Sequence, residues 1–217
     1  MRYFNLHTHH ATDDPDIAEI VNQYPENFEE NHPFFSIGIH PWYIDESKLI
    51  SNLAVVESKL QQKNCLAVGE CGLDKRTEIP FEKQMEVFEA QLVLAEKYKK
   101  PVVIHCVAAF SEVILAKKKM KTDVPMIIHG FEKNAATAKQ LLDHGFYLSF
   151  GKSLMVNPDL KRVFNSVPES HIFLETDTMD IGILDLYNRA AIYKNVAVEV
   201  IQEAIGNNVK ALFNLSL

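Results

Sequence analysis

Short apolar runs recur along the chain, separated by longer stretches of mixed polarity. They read YFNLH (Tyr3–His7), PFFSIGIH (Pro33–His40), CLAVGE (Cys65–Glu70), PVVIHC (Pro101–Cys106), MIIHG (Met126–Gly130), FYLSFG (Phe146–Gly151) and IFLETD (Ile172–Asp177), with a weaker eighth, IAEIVNQ (Ile17–Gln23). Their near-continuous apolar character predicts strands covered on both faces rather than strands with one face in water. Between them the period changes. Phe81, Met85, Phe88, Leu92 and Ala95 fall three and four residues apart, which predicts a helix, and Lys97, Lys99 and Lys100 suit its C-terminus. Similar patterns predict helices over Glu46–Gln62, Phe110–Lys119, Asn134–His144 and Arg189–Ile205.

Eight such strands alternating with helices predict an α/β fold with an all-parallel sheet, a distorted and shortened TIM (β/α)8 barrel. A doubly wound open sheet is the competing architecture at this level. The links from His7 to Ile17 and from Gln23 to Pro33 are too short for full helical crossovers, so helices are expected to be reduced or missing near the first strands. With 217 residues, 47% of them apolar, the chain is expected to form a single domain over 1–217.

Composition narrows the picture further. No basic-then-apolar leader and no run of about 18 apolar residues is present, so a soluble, cytoplasmic protein with no membrane partner is expected. A formal net charge of −7 argues against loose capture of nucleic acid on a basic surface. It leaves open a nucleic-acid substrate held at a metal centre, where bound cations reverse the local potential. Cys65, Cys71 and Cys106 form no C-x-x-C pair and sit in apolar runs, which predicts three buried thiols in a reducing compartment.

The ionisable residues gather at one end of the strands. His7 and His9 follow the first run, and His40, Glu70, His105, His129 and Asp177 close five others. That is the end at which parallel barrels build their sites. Residues i and i+2 of a strand share a face, so His7 and His9 point to the same side. Imidazoles and carboxylates without a matching cysteine suit Zn, Mn or a similar divalent ion. Their number exceeds one tetrahedral shell and suits two metals about 3.5–4 Å apart. Taken alone, any one of these histidines is an ordinary satisfied polar residue, and Glu70 a buried acid paired with Lys75 or Arg76. Together, that many buried ionisable groups without partners would be costly.

The ordered motifs H-T-H (His7–His9), G-I-H-P (Gly38–Pro41), V-G-E-C-G-L-D (Val68–Asp74), P-V-V-I-H (Pro101–His105), I-I-H-G-F (Ile127–Phe131), G-F-Y-L-S-F-G (Gly145–Gly151) and E-T-D (Glu175–Asp177) resemble the TatD-like metal-dependent hydrolases, a branch of the amidohydrolase barrels. The resemblance implies two divalent ions (Zn, Mn or Mg). His7, His9, Glu70 and Asp177 would hold one, and Glu70, His105 and His129 the other. It also implies hydrolysis by a metal-bridged hydroxide, with DNA or another phosphodiester as substrate, and Asp177 and Glu70 as catalytic residues.

Departures from the family pattern bear on substrate. Where the family has His-Ser-Arg, this chain reads His105-Cys106-Val107, and Thr178-Met179-Asp180 follows E-T-D in place of a small residue and proline. An amidohydrolase-like enzyme acting on a small amide, lactone or phosphoester is therefore an alternative, as is a metal-binding barrel with lost activity. Substrate contacts are expected from His40, Lys75, Arg76 and Lys152, with Lys133 a further loop cation. His40 reads equally as a loop organiser, and Glu175 as a support for the metal ligands or a structural acid. Trp42 and Tyr43 offer a stacking surface or pack against a helix. The run Lys117–Lys121 reads as a solvated helix end.

Overall fold

The computed structural model describes residues 2–12 and 14–217. Its strands are β1 (Tyr3–Thr8), β2 (Ile17–Gln23), β3 (Phe35–Ile37), β4 (Cys65–Asp74), β5 (Val102–Val107), β6 (Met126–Ile128), β7 (Phe146–Phe150) and β8 (Ile172–Leu174). The helices are α1 (Leu49–Leu60), α2 (Phe81–Tyr98), α3 (Phe110–Met120), α4 (Ala135–Leu142), α5 (Lys152–Val156), α6 (Leu160–Ser166), α7 (Ile183–Lys194) and α8 (Val198–Phe213). The eight strands form one sheet in chain order, and a parallel bridge between Thr8 and Asp177 sets β1 beside the end of β8. Chain order with β1 returning to β8 is the topology of a (β/α)8 barrel, as the alternation predicts, and not of a doubly wound sheet. Among the described residues no helix lies between β1 and β2. Between β2 and β3 the helical structure is reduced to a single 3-10 turn, Pro25–Asn27.

Two compact units divide the chain, Met1–Ile20 with Ile128–Leu217, and Val21–Ile127. In the first, Phe4, Leu6, Phe146, Leu148, Phe150 and Phe173 are fully buried. The Tyr187 hydroxyl of α7 accepts a hydrogen bond from the Phe4 amide at 3.0 Å and donates one to the Phe4 carbonyl at 3.1 Å, which fixes β1 to the helix layer.

In the second unit β2, β3, β4 and β5 pair in parallel. Side-chain amides of α2 pin the strand ends there. Gln91 spans the Ile39 amide and carbonyl, and Gln84 spans those of Asp74. Gly72 lies opposite His105 with φ +146°, where a Cβ would stand 2.0 Å from the His105 carbonyl oxygen, so only glycine permits this approach of β4 to β5.

Three expectations change. The stretch Arg189–Ile205 is parts of two helices rather than one, because Asn195 takes a left-handed conformation (φ 56°) that ends α7 before α8 begins. The short helices α5 and α6 carry too few turns to declare a period. Cys65 and Cys71 are buried, but Cys106, near the end of β5, is only half-buried. Burial pushes the Cys65 thiol up to about 12 and the Cys71 thiol higher still. No helix among the described residues is long and apolar enough to cross a membrane.

Candidate metal centre

The first unit gathers His7, His9 and Asp177, whose donor atoms all lie within 4.8 Å of one another. Backbone pairing creates this cluster. The His9 amide donates to the Asp177 carbonyl and the Asp177 amide to the His7 carbonyl, each at 3.0 Å. Asp177 itself sits at φ +52°, a left-handed conformation that aspartate tolerates better than most residues at a cost of about 1 kcal/mol. Asn5 holds the preceding residue from both sides, accepting from the Thr176 amide at 3.0 Å and donating to its hydroxyl at 2.8 Å. The Asp177 carboxylate lies 3.3 Å from His9 Nε2 and 3.7 Å from His7 Nε2. Burial alone would raise its pKa, but the two imidazoles hold it well below the ordinary carboxylate range.

His129, just past β6, stacks obliquely on His7 with ring centroids 4.6 Å apart. Its Nδ1 is 3.2 Å from Glu175 Oε1, which also accepts from the Gly130 amide at 2.7 Å. The fully buried Glu175 thereby fixes the orientation of the His129 ring through Nδ1. Of the two readings of Glu175, this contact is the one that supports a ligand.

The second unit gathers His40, Glu70 and His105. Glu70 was expected at a strand end, but β4 continues past it to Asp74. Its backbone amide donates to Asn22 Oδ1 on β2 at 2.6 Å, and Ser36 of β3 donates to the same oxygen at 3.3 Å. Glu70 Oε1 lies 3.2 Å from His40 Nε2 and 3.0 Å from His105 Nδ1. Its partners are thus imidazoles rather than Lys75 or Arg76. His105 Nε2 faces Asp74 Oδ2 at 3.1 Å, and the same oxygen accepts from Trp42 Nε1 at 2.7 Å. Burial would raise the Asp74 pKa, yet the Arg76 amide, the Trp42 indole and His105 hold it below the usual range. His40 Nδ1 accepts from the Trp42 amide at 3.1 Å and caps the 3-10 turn Pro41–Tyr43, so it organises its loop while facing Glu70.

The expected substrate contacts are less uniform. Lys75 pairs with Glu112, and Lys133 with Glu132 at 3.0 Å. Lys152 is the exposed first residue of α5. Arg76 is exposed, with its amide donating to Asp74 Oδ1 at 2.7 Å. Trp42 is 53% exposed and Tyr43 55%, so neither is packed away against a helix. Lys117–Lys121 spans the last turn of α3 and its left-handed cap residue Lys121, and Lys119 pairs with Glu89 at 2.7 Å.

The donors fit divalent metal. Each unit offers imidazole nitrogens and a carboxylate whose donor atoms lie within 4.8 Å of one another, and in both a carboxylate engages one nitrogen of a histidine: Glu175 for His129, Asp74 for His105. Asp74, Asn22 and Asn5 were not singled out from sequence. Asp74 alone left a signal, as the last residue of V-G-E-C-G-L-D.

Strand order and donor clusters together describe a parallel barrel whose strand ends carry groups suited to divalent metal. The pattern that describes the family "TatD related DNase" matches residues 5–214, and the chain belongs to that family. An uncharacterized metal-dependent hydrolase of Haemophilus influenzae is 28% identical over 185 residues, 80% of this chain and 68% of that protein. The metal-dependent hydrolase YcfH of Escherichia coli is 26% identical over 86% of this chain and 76% of its own length. The crystal structure of the TatD homologue YjjV of Escherichia coli superposes with a TM-score of 0.84 at 21% identity, covering 99% of this chain and 98% of that one, which shows the shared fold.

Proposed function

We propose that the chain is a phosphodiesterase acting on DNA, with two divalent ions as cofactors. His7, His9, His129 and Asp177 would hold metal in the first unit, and Glu70 and His105 in the second. When bound, such ions polarise a phosphoryl oxygen and lower the pKa of water, so that a nucleophile is available near neutral pH.

The observation that carries this reading is the contrast between the two carboxylates within their clusters. The Asp177 side chain is 38% exposed and the Glu70 side chain 5%. Asp177 is the more open of the two, and its role in this reading is to orient an attacking water and pass its proton to the leaving oxygen. Glu70 is closed in by His40 and His105 and acts as a holder of charge. His40, fixed by the Trp42 amide, orients that carboxylate.

The substrate class draws support from a relative. A protein of Rahnella sp. described as "3'-5' ssDNA/RNA exonuclease TatD" is 29% identical over 76% of this chain and 65% of its own length. One observation favours the second reading, a small amide, lactone or phosphoester. Val107, which follows His105-Cys106, brings no charge to the cleft it lines.

The test is metal analysis of the purified chain with a panel of single-stranded DNA, a generic phosphodiester and a small amide. Chelator-sensitive DNA cleavage supports the proposal, and an amide-only response selects the second reading. Bound metal without turnover on any of the three defeats both.

A further inference from the structure

Two cavities flank His40 in the second unit. One, about 360 Å3, is lined by Tyr24, Glu26, Asn27, Asn52 and Tyr43, and Tyr43 stands edge-on to Tyr24 with centroids 5.3 Å apart. Its one charged lining side chain is the carboxylate Glu26, already engaged by Lys48. That charge is negative, which disfavours an anion.

The other, about 400 Å3, is lined by Trp42, Asp74, Arg76, Thr77, Glu78 and Val107. Trp42 is more than half exposed yet cannot turn freely. Its Nε1 is spent on Asp74, and its ring packs against His40 at 5.1 Å and His105 at 5.7 Å between centroids, in both cases edge to face. An aromatic ring held open to solvent in one orientation is pre-organised for a planar partner, because its ordering entropy is already spent. Beside it, the Arg76 guanidinium has no carboxylate partner among the described residues, whereas Lys75 next to it is paired with Glu112. Asp74 keeps its negative charge, but both of its oxygens are engaged elsewhere, Oδ2 by Trp42 and His105 and Oδ1 by the Arg76 amide, so its pairing is with those groups. Val107 adds apolar surface, and Glu78 is exposed.

From this juxtaposition we infer that Trp42 and Arg76 form a subsite for an unpaired nucleobase and its phosphate, the base stacking on the indole and the guanidinium holding the phosphate. The inference rests on the proposed phosphodiesterase activity and deepens it, because a small amide would use neither group. Through Asp74 the indole shares a carboxylate oxygen with His105, so a stacked base is tied to the candidate metal cluster by two short contacts.

Trp42 is the sole tryptophan of the chain, so its fluorescence reports on the subsite directly. The full chain with its metal is titrated with a short thymidine oligonucleotide whose phosphorothioate links resist cleavage, with the ribose counterpart, and with an abasic strand carrying the same phosphates. Saturable quenching by a base-bearing strand supports the subsite, the deoxy and ribo arms identifying which sugar supplies the base. Arg76→Ala is expected to weaken binding about tenfold, and Glu78→Gln to tighten it about twofold. An abasic strand that binds as tightly as the thymidine strand, or a base-bearing strand that leaves the fluorescence unchanged, overturns the inference. Metal-dependent cleavage of unmodified DNA without quenching sinks the subsite and leaves the phosphodiesterase standing. Quenching without cleavage keeps the subsite and defeats the phosphodiesterase.

Discussion

The two units build their donor clusters by different means. In the first, backbone does the positioning: β1 and the end of β8 exchange amide hydrogen bonds, and Asp177 emerges from a left-handed residue into a half-open setting. In the second, side chains do it. Asn22, itself bonded by Ser36, holds the Glu70 backbone, Gln91 and Gln84 hold the strand ends, and Asp74 with Trp42 backs His105. A carboxylate delivered by backbone at the edge of solvent can exchange protons. One enclosed by imidazoles and amides is better suited to fixing charge in place. The contrast assigns different labour to two residues that look alike in sequence.

The largest expected effect tests that division directly. Asp177→Asn keeps shape and removes the proton acceptor, so kcat measured at saturating metal should fall about 10²- to 10⁴-fold, beyond any loss of metal that follows from weakening one proposed ligand. Glu70→Gln should instead show its loss first in bound metal, measured by elemental analysis of the purified variant. If both variants lose metal equally and retain the same residual kcat, the assignment of separate roles is wrong.

A smaller effect is expected one contact further out. Glu175→Ala releases His129 Nδ1 and should weaken metal binding about 10- to 100-fold, read by chelator competition. Glu175→Gln, which can still accept from His129 and from the Gly130 amide, should recover much of that affinity. Equal losses in the two variants would mean that Glu175 acts through its charge or its packing and not by orienting the ring.

Much of this was open to reading in the chain itself, for a physical reason. Buried parallel strands must be apolar and crossover helices must be amphipathic, so the alternation of periods is visible, and with it the strand ends where His7, His9, His105, His129 and Asp177 lie. The supports were not visible. Asn5 and Asn22 sit inside apolar strands, where one amide carries no periodic signal, and the partners they hold are 171 and 48 residues away. Trp42 was ambiguous because its indole hydrogen bond to Asp74 spans 32 residues, and only that contact tells a fixed exposed ring from a packed one. The Asn195 break in the last helical stretch was hidden for a local reason: a left-handed asparagine does not disturb the apolar spacing on either side.

The two asparagines give a finer comparison. Asn5→Ala strips the hydrogen-bond partner from the buried Thr176 amide and hydroxyl, and Asn22→Ala strips one from the Glu70 amide and the Ser36 hydroxyl. Each should cost about 1–3 kcal/mol of stability in metal-free protein, measured by urea unfolding. Added metal should restore more stability to the protein than to either variant, since each variant loosens a ligand. A variant that gains as much from metal as the protein does would show its asparagine to be structural only.

The smallest effect concerns the cysteines, and it separates the surface of the second unit from its interior. Cys65 and Cys71 are buried with thiols driven far up, so at pH 8 almost none of either exists as the reactive thiolate. Cys106 is half-buried and adjoins His105. A charged thiol reagent should therefore label one cysteine of the native chain, at Cys106, and all three after unfolding. Because the label would sit beside a candidate ligand, bound metal should slow it, and chelation should restore the rate. Labelling of Cys65 or Cys71 at a comparable rate in the native state would mean that the strands bearing them open far more readily than their burial implies. A Cys106 rate indifferent to metal would place that thiol outside the reach of the His105 cluster and remove one of the links drawn between them.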